Sequence, residues 1–110
     1  MEVRIREQDG ITIASLVGKL DSSSAADVQD VLLKKITKGI KFVFDMESCT
    51  FVSSAGLRML LIIAKRVKID NISAAMAAVS GEIMEVMEMT GFDDMFDSYN
   101  TVDEAIKALQ

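Results

Sequence analysis

The sequence predicts one α/β domain over residues 1–110, a mixed β-sheet of four to five strands covered by about four helices. Three observations lead there. Stretches with apolar residues at helical spacing alternate with short apolar runs of the kind that form buried strands. A hairpin signal near the start joins the first two strands, whereas later strands separated by helices need parallel crossovers. Finally, 110 residues of which 50% are hydrophobic suffice for one core without disulfides or metals, but not for two domains.

In chain order, Val3 and Ile5 alternate with Arg4 and Arg6, and the run from Ile11 to Val17 follows Asp9-Gly10, a strong turn pair. Ser24 stands three residues before Asp27 in a capping-type arrangement, and Ala25, Val28, Leu32 and Ile36 carry a helix of about 24–38 that stops at Gly39. Phe42, Val43 and Phe44 form a short strand buried on both faces. In "TFVSSAGLRMLL", residues 50–61, Phe51 and Val52 are extended and Leu57 onward is helical, so two serines lie on the joint. The stretch "ISAAMAAV", 72–79, is ambiguous: alanine favours helix, but the place between two helices favours a strand, which is the assignment adopted. Ser80 caps a helix carrying Ile83, Met84, Val86 and Met87 that ends at Thr90-Gly91. A further short strand fits after "FDDMF", and Thr101 with Glu104 forms a capping box before Val102, Ala105, Ile106 and Leu109. Met84, Met87 and Met89 read as adaptable core filler.

Composition removes many functions. With a net charge of −5 and scattered basic residues, the chain lacks the dense positive stripe that phosphate backbones require, so no nucleic acid is expected as partner. One cysteine, Cys49, and no basic start followed by an apolar signal segment point to a reducing cytoplasmic setting. Arg58, Lys65 and Arg66 interrupt the longest apolar stretch, so direct membrane insertion is not expected. There is no histidine, the usual general base and commonest metal ligand. Lys65 and Lys68 lie roughly 16–21 Å along a helix from Ser54, too far to activate it, and Glu47 opposes a reactive thiolate at Cys49. Asp93, Asp94 and Asp97 have no second ligand cluster beside them, and no Gly-rich loop precedes a Lys-Ser/Thr pair. The chain is expected to be neither an enzyme nor a cofactor or metal binder.

Counting 100° per residue from Leu57, the core face of the helix after the serines holds Leu60, Leu61, Ile63, Ala64 and Val67. Its outer face holds Arg58, Met59, Ile62, Lys65, Arg66 and Ile69, a mixed surface. Met59 and Ile62 are either ordinary apolar surface residues or the centre of a partner patch flanked by Arg58, Lys65 and Arg66. Of the two serines, only one can cap the helix. The other hydroxyl is left near free backbone N–H groups and the positive end of the helix dipole, where a phosphate dianion is favoured. Ala55 and Gly56 are small enough to keep the approach open.

At these residues the chain resembles the STAS-domain anti-sigma factor antagonists. "FDMESCTFVSSAGLRMLL" matches their signature, and "GKLD" at Gly18–Asp21, the Ser24-Ala25 helix start and "MTGFDDMF" match further landmarks in order. The resemblance covers the whole chain and implies a single STAS-type domain. It implies a partner switch in which the antagonist binds an anti-sigma factor that is also a serine kinase, phosphorylation breaks the complex, and a PPM-type serine phosphatase restores it. The family's phosphoacceptor serine falls on Ser54. Its usual acidic neighbour falls on Ser53, so Ser53 is a second, lower-ranked acceptor; Lys19 stands where glutamate is common, and Asp21 is retained. The implied partner surface comprises Asp21, Ser53, Ala55, Gly56, Arg58, Met59 and Ile62. The alternative is a STAS scaffold or transporter-associated module that is not phosphorylated, in which Ser54 is only part of a helix start.

Overall fold

The computed structural model describes residues Met1–Gln110, the side chain of Asp93 excepted. Asp9 and Gly10 both take positive φ, 54° and 78°, as a two-residue type I′ turn requires, and they join β1 (Glu2–Gln8) to the longer β2 (Ile11–Leu20) in antiparallel register from Gln8↔Ile11 to Glu2↔Val17. Helix α1 (Ala25–Lys35) leads to β3 (Lys41–Asp45), and β4 (Cys49–Val52) leads directly into α2 (Ser54–Ile69). Then follow β5 (Ser73–Ala77), α3 (Gly81–Thr90), a 3₁₀ turn at Phe92–Asp94, β6 (Asp97–Tyr99) and α4 (Val102–Leu109). Among the described residues the strands number six, one beyond the expected range, because Phe51 and Val52 belong to a paired strand.

The main sheet runs β1-β2-β3-β5-β6, parallel throughout except for the opening hairpin. Strand β2 serves two partners: Ile11–Ser15 pair with β3, and Gly18–Leu20 pair with β4. The register shifts between Gly18 and Lys19, where Gly18 takes φ +109°, a conformation that side chains rarely tolerate.

Alternation along the central strands divides the core. Ala14, Leu16, Phe42, Phe44 and Met76 face a large cluster with residues of α1, α2 and α3. Ile13, Val43, Ala75 and Ala77 face Ala105 and Ile106 of α4 on the opposite side. The strand at Phe42–Phe44 is thus buried on both faces, as its unbroken apolar run predicts. The "ISAAMAAV" ambiguity resolves as a strand because the alanines at 75 and 77 make room for α4.

Three local expectations need correction. Helix α1 ends at Lys35 rather than near 38, since Ile36 is already extended at φ −87°, ψ 99°. Ser24 does not cap that helix: its own backbone is helical, and its Oγ accepts from Asp21 N at 3.1 Å and donates to Lys19 O at 3.0 Å. Among the methionines, Met87 is core but Met89 is 81% exposed, because it lies on the outer face of the last turn of α3.

Candidate functional site

The pairing of β2 with β4 ends at Leu20↔Val52, and both chains then turn at the same place. Ser53 N donates to Leu20 O at 2.9 Å, which ties the start of α2 to the loop beginning at Asp21. Ser53 is extended at φ −83°, ψ 174°, and its Oγ accepts from Gly56 N at 3.1 Å, so Ser53 is the cap. Ser54 is therefore the first helical residue, and its side chain is exposed. Ser53→Ala is expected to lower stability by about 0.5–2 kcal/mol in urea or thermal unfolding, whereas Ser54→Ala stays within about 0.5 kcal/mol of wild type.

Gly56 sits where α2 touches the sheet. A Cβ there would lie 2.6 Å from Leu20 O and 2.9 Å from Leu20 Cγ, so only glycine permits this approach. The residue is buried, and its smallness serves helix packing rather than an open path to Ser54. The buried stripe of α2 consequently runs through Gly56, Met59, Leu60, Ile63, Ala64 and Val67. Met59, at 2% exposure, is core and offers no surface to a partner, which corrects its assignment to the outer face; Gly56 is likewise removed from the docking surface. Leu57 and Leu61, half-buried, lie at the edge of the stripe.

The surface that remains around Ser54 is continuous with a groove. Ser54, Leu57, Arg58 and Leu61 of α2 form one wall, and Thr90, Phe92 and Met95 help form the other, around a cavity of about 400 Å³. Arg58 and Ile62 are exposed, and Ser53 and Ala55 are half-buried. Phe51, 48% exposed on β4, is an apolar surface residue, and neither its exposure nor the groove carries a signal in the sequence, since Leu61 packs against the core and lines the groove at once.

Asp21 stands in the neighbouring loop. Its Oδ1 accepts from Ser23 Oγ at 2.7 Å and Ser23 N at 3.0 Å, and these hydrogen bonds hold the carboxyl below its ordinary pKa, so it is ionised at neutral pH. Cys49 is buried beneath the site, with its thiol directed at Phe51 O, 3.6 Å away. Burial pushes its pKa up, away from a reactive thiolate. Among the described residues no group of three metal-binding side chains occurs, and the Asp93 carboxylate considered with Asp94 and Asp97 lies outside them. Among the same residues no helix is long and apolar enough to cross a membrane.

Comparison with known proteins identifies the fold. The family described as STAS domain matches residues 2–105. The Bordetella bronchiseptica protein named "Putative anti-sigma factor antagonist BtrV" is 29% identical over 100% of this chain and 96% of its own length. An anti-sigma factor antagonist of Mycobacterium paratuberculosis superposes with a TM-score of 0.87 at 21% identity, covering 98% of this chain and 92% of that one. The Bacillus cell fate determinant SpoIIAA, in its phosphorylated form, has the same fold with a TM-score of 0.76 at 16% identity, covering 99% and 100% of the two chains. With 104 consecutive residues, 2–105, spanned by the match, the chain belongs to the STAS domain family.

Proposed function

We propose that this protein is an anti-sigma factor antagonist, a non-enzymatic cytoplasmic regulator that docks on an anti-sigma factor with serine kinase activity. Phosphorylation of Ser54 ends the complex, and a PPM-type serine phosphatase resets it. The observation that carries the proposal is the division of labour at the helix start: Ser53 is spent as the cap, while Ser54 stands exposed beside an apolar groove. Asp21, Ser53, Ala55, Arg58 and Ile62 supply the surrounding docking surface, and Phe51 extends it. BtrV is named as an anti-sigma factor antagonist, and SpoIIAA has been solved in a phosphorylated form; both support the reading.

A phosphate adds about −1.5 to −2 charges at pH 7, and at a helix N-terminus the dipole favours it. The fold persists while the docking face changes in charge and bulk. The test is peptide-level mass spectrometry after incubation with ATP and an extract of the source cells, beside Ser54→Ala. One phosphate on Ser54, absent from the variant, is the expected result. No phosphate on either serine, with a control substrate phosphorylated in the same extract, would replace the switch by an unphosphorylated scaffold.

A further inference from the structure

We propose that Arg58 is an intramolecular clamp for phosphate on Ser54, so that phosphorylation both adds negative charge and withdraws a guanidinium from the docking surface. The inference rests on the reading of Ser54 as phosphoacceptor and specifies how that modification acts. Ser54 is the first residue of α2 and Arg58 follows four positions later, which places the two side chains on one face about 5–6 Å apart at Cβ. An anion N-terminal to a cation at this spacing is the favourable order. Both residues also line the same groove, so they share one side of the helix.

Among the described residues Arg58 has no ion-pair partner. The ion pairs among the described residues join Glu2 to Arg4 and Arg66 to Asp70, and the first turn of α2 contains no acidic residue that would compete for the guanidinium. The second of these pairs shows that an arginine spans this spacing even in the less favourable, reversed order: Arg66 Nε donates to Asp70 Oδ2 across four residues at 2.6 Å. A phosphate, with three acceptor oxygens, can take two parallel N–H bonds from the planar fork of an arginine. Once paired, Arg58 lies along the rim formed by Leu57 and Leu61 and is no longer available to an acidic group of the partner.

The experiment installs phosphoserine at position 54 during protein synthesis, so that it does not depend on any kinase. Phosphorus NMR then follows the second ionisation of the phosphate with pH in the wild-type background, in Arg58→Gln and in Lys19→Gln, the last being a control for loss of one nearby positive charge. The clamp predicts that Arg58→Gln raises the phosphate pKa by roughly 0.2–0.4 units while Lys19→Gln leaves it near the wild-type value. Arg58→Gln titrating together with wild type, or shifting no more than Lys19→Gln, would overturn it. Because the phosphate is present from the start, failure of the clamp is distinct from failure of Ser54 to be phosphorylated in extract. Circular dichroism checks that the exposed substitution leaves the fold intact.

Discussion

Ser54→Glu is expected to fold as wild type and to bind the proposed kinase partner at least about thirtyfold more weakly, the effect of losing about 2 kcal/mol at the centre of an interface. The fold is spared because Ser54 is exposed and a carboxylate in the first turn of α2 is favoured by the helix dipole. Binding is not spared, since a charge that must be desolvated now stands where Ser53, Ala55 and the groove have to be covered. Ser54→Ala keeps the small surface and cannot accept phosphate, so it stays bound in the presence of ATP. Calorimetric titration of both variants, with unfolding curves alongside, separates docking from folding. Equal binding constants for wild type and Ser54→Glu would remove Ser54 from the interface.

Gly56→Ala is expected to be the most damaging single methyl in the helix. Its Cβ would meet Leu20 O at 2.6 Å, and that carbonyl is held in place by Ser53 N, so the backbone rather than a flexible side chain would have to move. Overpacking of this kind costs about 2–3 kcal/mol, even after the gain of up to about 1 kcal/mol from replacing a helical glycine. For a domain of this size the thermal midpoint falls by roughly 10 °C. Gly81→Ala is the control: no heavy atom lies within 4 Å of its added Cβ, and the variant is expected to be neutral or slightly more stable. A Gly56→Ala midpoint equal to wild type would show that α2 can lift from β2 without cost.

How far the molecule was legible in its residues depended on whether a feature carried a local chemical signal. Asp9-Gly10, the Ser80 and Thr101 caps and the Gly91 terminator each act within a few residues, and each appears where the sequence places it. The doubly buried strand at Phe42–Phe44 was legible for the same reason. The rotation of α2 was not, because it depends on Gly56 pressing against Leu20, and a glycine contributes nothing to a hydropathy pattern. Counting from Leu57 therefore turned the inferred core face away from Met59 and toward Leu61. Ser24 was misread for a related reason: the chemistry of its hydroxyl suits a cap, but the Lys19 carbonyl and Asp21 amide, brought close by the turn, engage it first. The assignment of Ser53 as cap and Ser54 as free hydroxyl required the structure, since both residue types fit either position.

The two-partner strand β2 also determines when the site comes into existence. Apart from the opening hairpin, its pairings join residues far apart in the chain, Ile11 with Lys41 and Gly18 with Cys49, and such non-local contacts form late in folding. The bond from Ser53 to Leu20 continues the pairing of the distal half of β2 with β4 and so depends on it. The proposed docking face is therefore a discontinuous epitope: a linear peptide covering residues 50–61 contains both serines and lacks the loop of Asp21, the bond to Leu20 and the opposite wall of the groove. A partner that reads this face tests the completed domain, and a ribosome-bound fragment that ends before β4 has no surface to offer it.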